Sequence, residues 1–253
     1  MAIQAVLFDL DQTLWSVGPQ PDWAEITALQ SAELAPHFAR FALDHFDPPE
    51  FVRRFWTNLN VQFPDPDSLA DPPLEERRWI EGPAVLRSTL AEHGATCAED
   101  DASALWEALN NVPLRHFNIR LFADAASTVE ALRAAGYRLA IVTARPLTEA
   151  IVRRELRDQG LPDVFEAVVT SGEVGYRKPH PLVFGSALAR LGVPPDEAIV
   201  VGDSYEDDIV PAAKLGIIPV LKLNDRAPDP RCTLARHHVP SLAALLDLEV
   251  LNR

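Results

Sequence analysis

The chain has 253 residues, 47% of them hydrophobic and 24% charged, which suits one large soluble domain or a domain carrying an insertion. A formal net charge of −14 sets up a field that repels phosphate backbones and anionic lipid, so nucleic acid and membrane surfaces are not expected partners. Only Cys97 and Cys232 are present, with no CxxC pair, which argues against a disulfide framework or a zinc site and fits a reducing, cytoplasmic setting.

In chain order, "IQAVLFDL" (3–10) predicts a buried strand, running directly into "DLDQTLW" with aspartates at 9 and 11. Residues 16–118 read as all-helical, with helices expected over 24–43, 48–63, 83–94 and 100–112 and a Pro/Asp-rich loop over 64–76. Trp23, Trp56, Trp79 and Trp106 fall in this block, most of them as parts of a small helical core. Strand–helix alternation follows. A helix over 124–136, with Asp124 at its N-cap and Gly136 at its stop, precedes a strand over 137–144. Next come a helix over 147–160, a strand over 165–171, a helix over 181–192 and a strand over 197–203. A helix over 205–216, a strand over 217–223 and a closing helix over 240–251 complete the pattern, while His237 and His238 read as a surface turn.

Such alternation predicts an α/β fold, a Rossmann-like parallel sheet covered on both faces. The expected organisation is a core of residues 1–15 and 119–253 with a helical domain over 16–118 inserted after the first strand. No run approaches ~18 consecutive apolar residues and no secretory leader pattern opens the chain, so neither a membrane span nor export is expected.

Ligands of open parallel sheets bind at the carboxyl ends of the strands. Here those ends and the loops after them carry Asp9, Asp11, Thr143, Lys178 and Asp203. Side chains two apart on a strand point the same way, so Asp9 and Asp11 start out together, although the chain is expected to bend after Leu10. Carboxylates so close in a partly dry cleft repel strongly unless a cation neutralises them. A hard divalent ion with oxygen ligands, Mg²⁺ first, resolves the conflict. A metal, a hydroxyl and an ammonium converging on one point suit a transferring phosphoryl group. Each residue also has a plainer reading: a strand-end turn for the aspartate pair, a strand-end hydroxyl for Thr143, a surface lysine for Lys178, an N-cap for Asp203. Lys178 is one of only three lysines against 20 arginines.

Taken together, "FDLDQTL", "IVTA", "RKPHP" and "VGDSYEDDI" resemble, in order, the four motifs of the haloacid dehalogenase-like hydrolase superfamily, and they span the non-inserted part of the chain. The resemblance implies Asp9 as nucleophile, Asp11 as general acid/base, Thr143 holding phosphoryl oxygens and Lys178 steadying nucleophile and phosphate. It implies Mg²⁺ held by Asp9, Asp203 and the Asp11 backbone carbonyl. It makes the insertion a helical cap that closes over substrate and excludes water. Two departures stand out. Ala144 occupies a position often asparagine in capped relatives, so Thr143, Ala144, Arg145 and Lys178 form the expected substrate-binding set, with Arg145 as a possible anion contact of its own. The fourth motif has tandem acids, Asp207 and Asp208, and alignment on Ile209 favours Asp208 as the further metal-site acid.

The expected activity is therefore Mg²⁺-dependent hydrolysis of a small phosphorylated metabolite through an aspartyl-phosphate. A phosphomutase shares all four motifs. A dehalogenase has no need of an acid at position 11, and a phosphonate hydrolase needs a cap lysine, whereas residues 16–118 contain none. From another class, a phospho-receiver module also gathers aspartates, a hydroxyl and a lysine at strand ends. Arg40, Arg53, Arg54, Arg77, Arg78, Arg87 and Arg115 of the insertion are candidate contacts to an anionic leaving group, with solvated helix faces as the plainer reading. Oligomeric state leaves no mark on the sequence.

Overall fold

The computed structural model describes residues 2–38, 47–60 and 81–251. The chain begins with β1 (Ala5–Phe8) and β2 (Trp15–Val17), followed by α1 (Trp23–Phe38), α2 (Pro48–Asn60), α3 (Gly82–Glu92) and α4 (Glu99–Leu109), then a 3₁₀ turn over Leu114–Phe117. β3 (Ile119–Leu121), α5 (Ala125–Ala134), β4 (Arg138–Thr143), α6 (Glu149–Asp158) and β5 (Phe165–Thr170) come next. They lead to α7 (Ser171–Val174), α8 (Pro181–Leu191) and β6 (Ala198–Gly202). One π-helical turn over Tyr205–Ile209 runs into α9 (Val210–Leu215), and β7 (Ile218–Lys222) and β8 (His237–Val239) complete the strands.

The described residues form two compact units, 2–17 with 119–251, and 18–38, 47–60 and 81–118. The first holds a six-stranded, wholly parallel sheet in the order β5-β4-β1-β6-β7-β8. Its inner strands are apolar except at their ends, where Arg138, Thr143 and Lys222 stand, because helices cover both faces; all four residues of β1 are buried. From β1 the chain passes to β4 and β5 on one side and then to β6 on the other. The order therefore reverses at β1, the position where an open sheet leaves a crevice beyond its strand ends.

Local signals explain most boundaries. The Thr148 hydroxyl caps α6 by accepting from the Ile151 N–H at 3.4 Å, and Gly192, at φ +63°, ends α8 in the left-handed conformation. Four expectations are revised. Asp124 stands at the N-cap of α5 but does not cap it; its carboxylate accepts from the Ala243 N–H at 2.9 Å and anchors the chain terminus instead. The closing helix is two 3₁₀ turns, Ala243–Asp247 and Glu249–Leu251. Leu242, Leu245, Leu248 and Leu251 recur every third residue, the 3₁₀ repeat rather than the α repeat, and three of the four are fully buried. His237 and His238 lie not in a turn but on β8, hydrogen-bonded in parallel to β7. Finally, β2 pairs antiparallel with β3, a ribbon of three-residue strands too short to leave a readable period.

In the helical unit α1 packs on α2 and α4, and α3 joins α2 to α4. Trp106 is buried in its core, with Phe55 at 6.0 Å and Gly82 against its ring. Trp56 is half-buried and donates to the Gln30 carbonyl oxygen at 2.9 Å. Trp23 departs from the expected core role: it is 53% exposed. Trp79, the 64–76 loop and the predicted helix ends at 39–43 and 61–63 lie outside the described residues. Among the described residues no helix is long and apolar enough to cross a membrane, and both cysteines are free thiols.

Candidate active site

The site grows out of the end of β1. Pairing to β6 continues one residue past the strand, the Asp9 N–H donating to the Val201 carbonyl at 3.0 Å. The chain then turns back at once. The Leu10 carbonyl accepts from the N–H groups of Thr13 at 3.0 Å and Leu14 at 2.9 Å, with Gln12 in the left-handed conformation at φ +61°. A non-glycine residue there is strained, and two contacts hold it. The Gln12 carbonyl accepts from Asn224 Nδ2 at 2.6 Å and Lys222 Nζ at 3.3 Å. Its side-chain amide meets both backbone groups of Val17, at 3.2 and 3.4 Å.

This turn separates the two aspartates that an extended strand would leave side by side. Asp9 is buried and joins Asp203, at the end of β6, and Asp208, on the π-helical turn. One carboxylate oxygen from each lies within 4.8 Å of the others. The only buried cation among them is Lys178, 3% exposed, whose Nζ lies 2.6 Å from Asp9 Oδ1 and 2.7 Å from Asp208 Oδ1. Asp208 is held by Lys178 and by the Ser204 N–H at 3.2 Å, whereas the Asp207 N–H donates to Ser204 Oγ at 3.1 Å. Of the tandem acids, Asp208 is the one whose carboxylate joins the cluster. Gly202 makes the arrangement possible, since a Cβ there would sit 2.3 Å from Asp208 Cγ.

Asp9 and Asp208 share one ammonium while Asp203 pairs with Arg226, and the electrostatics follow. Burial, with Asp208 and Asp11 nearby, raises the Asp9 carboxyl well above the ordinary range despite Lys178. Burial likewise raises Asp208 against the pull of Lys178. Asp203 is pushed up to about 6 by burial and by Asp9, with the Arg226 guanidinium 3.2 Å away opposing. For Lys178 burial alone would favour the neutral form, but Asp208 and Asp9 outweigh it and raise its pKa. Oxygen-only donors carrying excess negative charge are what a hard divalent cation such as Mg²⁺ requires, so the residues fit that ion. A cleft of about 530 Å³, bordered by Ser204, Tyr205, Leu223 and Arg226, lies beside Asp203.

Asp11 lies near Asp9, but its carboxylate is not part of the cluster. It accepts from Trp15 Nε1 at 2.7 Å and from the Arg145 guanidinium at 3.2 and 3.3 Å. The opposite side of that guanidinium donates to Glu155 at 2.6 Å. Burial would raise the Asp11 pKa, but Arg145 and the Trp15 hydrogen bond prevail and hold it below the usual value. Arg145, expected to be open to an anionic substrate, is instead taken up by two carboxylates. Thr143 lies at the end of β4, in register with Thr170 of β5, and its hydroxyl accepts from the Arg145 N–H at 3.3 Å. Ala144 is half-buried. Arg54 pairs with Glu92 at 2.7 Å and Arg53 stands 4.0 Å from Asp47; Arg40, Arg77 and Arg78 lie outside the described residues.

Glu155, Trp15 and Lys222 were absent from the sequence-derived set, yet two left a signal. Glu155 occupies the apolar face of α6 with Ile151, Val152 and Leu156, an odd place for a charge. Lys222, a scarce residue within the apolar run "IIPVLKL", is buried with its ammonium 3.5 Å from the Phe122 ring centroid.

Residues 3–216 match the family model of haloacid dehalogenase-like hydrolases. The chain is 31% identical to the ribulose-1,5-bisphosphate 5-phosphatase of Halopiger xanaduensis, an alignment covering 96% of this chain and 98% of that one. It is 36% identical to the glyceraldehyde 3-phosphate phosphatase of Methanopyrus kandleri, over 86% and 83% of the two chains. Among solved structures, the 2-haloacid dehalogenase of Pseudomonas syringae pv. Tomato superposes with a TM-score of 0.61 at 25% identity, covering 99% of each chain.

Proposed function

Because the chain belongs to the haloacid dehalogenase-like hydrolases, we propose that it is a phosphatase that cleaves small phosphorylated metabolites, sugar phosphates first, through an aspartyl-phosphate on Asp9. The observation that carries this reading is Lys178, buried between Asp9 and Asp208 with Asp203 alongside. A fixed ammonium amid excess carboxylate suits a nucleophile that must stay ionised next to an incoming dianion. Relatives named as phosphatases of small phosphorylated sugars support the substrate class.

In the first step an Asp9 oxygen forms a bond to phosphorus as the bond to the leaving oxygen breaks. The departing electron pair goes to that oxygen, which takes a proton from Asp11; because that carboxyl is ionised beside Arg145 in the resting structure, it first takes the proton up from solvent. In the second step water attacks phosphorus and gives its proton to Asp11. The phosphorus–Asp9 bond then breaks, restoring the carboxylate and releasing inorganic phosphate. Lys178 orients Asp9 and offsets the charge of the phosphoryl group, and Thr143 is assigned the role of donating to its oxygens. Asp9, Asp203 and Asp208 would hold Mg²⁺, with the Asp11 backbone carbonyl as the family pattern has it. When bound, the ion supplies charge neutralisation at the phosphoryl oxygens. The helical unit is assigned the role of cap, which selects substrate and excludes water.

The test is turnover of p-nitrophenyl phosphate and a panel of sugar monophosphates, with Mg²⁺ or with EDTA. The expected result is metal-dependent release of phosphate that disappears in Asp9→Asn. Full activity in EDTA, activity retained in Asp9→Asn, or stoichiometric phosphorylation without turnover would overturn the proposal; the last outcome favours the receiver reading.

A further inference from the structure

We infer that Arg145, backed by Glu155, is the positioning residue for Asp11 and not a substrate contact. The inference rests on the reading of Asp11 as the group that protonates the leaving oxygen. Each end of the guanidinium has a carboxylate. Nε and Nη2 face the two Asp11 oxygens at 3.2 and 3.3 Å, while Nη1 donates to Glu155 at 2.6 Å. The plane of the fork matches a carboxylate in a way a lysine cannot, so it fixes orientation as well as charge. Trp15 completes the fixture from the other side. Its Nε1–H donates to Asp11 at 2.7 Å, and its ring centroid lies 5.1 Å from the Arg145 guanidinium carbon.

Asp11 itself is 41% exposed on its side chain, whereas Arg145 and Glu155 are 14% and 10% exposed. The acid thus stands at the mouth of the assembly with its supports behind it. A solvent-facing aspartate three residues past a strand end has several open rotamers. The buried Arg145–Glu155 pair selects one of them, outside the Asp9–Asp203–Asp208 cluster, and so keeps the proton-transfer group separate from the metal-type site. Glu155 matters because an arginine with Asp11 as its sole partner could follow that carboxylate; anchored on α6, it cannot.

Protonation of the leaving oxygen is needed for an alkoxide and dispensable for p-nitrophenolate, which gives the experiment its readout. The quantity measured is kcat/KM, which reports the first, leaving-group-dependent step, for an alkyl phosphate and for p-nitrophenyl phosphate. The alkyl-to-aryl ratio should fall about 10- to 100-fold in Arg145→Gln and in Glu155→Gln, within the range that general acid catalysis contributes. Equal losses on both substrates would mean a structural role only, and kcat/KM unchanged on both substrates would mean no role; either overturns the inference. Should Arg145→Gln fail to fold, Glu155→Gln, which preserves volume, decides alone. Asp11→Asn is the reference. If it lowers the ratio while the other two do not, the inference fails and the reading of Asp11 stands. If it does not lower the ratio, the reading of Asp11 fails and takes the inference with it.

Discussion

Gly202 offers the sharpest test of how the carboxylate cluster is assembled. It ends β6 directly beneath Asp208, and a Cβ added there would lie 2.3 Å from both Cγ and Oδ2 of Asp208 and 2.5 Å from its Cβ. Non-bonded carbons need about 3.5 Å, so Gly202→Ala forces a retreat of about 1.2 Å. Rotating the Asp208 side chain does not relieve the clash, because its own Cβ is also too close. The π-helical turn itself has to move. Doing so stretches the 2.7 Å Lys178–Asp208 contact beyond hydrogen-bonding range and leaves a buried charge short of a partner. Unpairing a buried ion pair costs on the order of 3–5 kcal/mol, which for a chain of this size lowers the melting temperature by roughly 10 °C. A displacement of this size at a reacting centre is also worth about 100-fold in rate. The assay is thermal unfolding in EDTA, so that metal binding does not mask the loss, paired with phosphatase kcat/KM in Mg²⁺. In an Asp208→Gly background the same substitution should cost far less, since the clashing atoms are gone. A Gly202→Ala protein that melts within about 2 °C of the parent and keeps its full rate would refute the reasoning.

Two further outcomes follow from the same cluster. Lys178→Met leaves Asp9 and Asp208 buried together without their shared ammonium. It should cost about 3–5 kcal/mol at pH 8 and abolish turnover. Both carboxyls already have raised pKa values, so the deficit should shrink as the pH falls toward 5 and they take up protons; a deficit independent of pH would contradict this. The third outcome concerns metal and proton competition. With Asp203 raised to about 6, the native state holds a proton that the unfolded chain has already lost, so metal-free stability declines as the pH rises from about 4 through 6. Mg²⁺ must displace that proton, and its affinity by calorimetry should weaken about tenfold per unit below pH 6 for each proton released. Affinity unchanged between pH 5 and 7 would rule out these carboxylates as the ligands.

Much of the core was legible because its signals are local. β4 and β6 are apolar runs that stop abruptly at Thr143 and Asp203, since a strand buried on both faces can turn polar only where it leaves the sheet. Asp9, Thr143 and Asp203 stand at or just past such exits, and Lys178 lies in the loop after α7. Helical periodicity similarly marked the insertion. Short elements escaped: three-residue strands such as β2, β3 and β8 contain too few alternations to carry a period, and the leucine repeat near the C-terminus was read at the wrong pitch.

The site departs from its one-dimensional reading at Asp11. Spacing alone makes Asp9 and Asp11 neighbours, yet the turn over residues 10–14 sends their carboxylates to different cations, each far along the chain. Asp9 meets Lys178, 169 positions on, and Asp11 meets Arg145, 134 positions on. Residue type and strand-end position follow from nearest neighbours in the chain, so composition and periodicity encode them. Which carboxylate faces which cation is settled by through-space competition for a few buried donors, and only the assembled sheet brings those competitors within reach of one another.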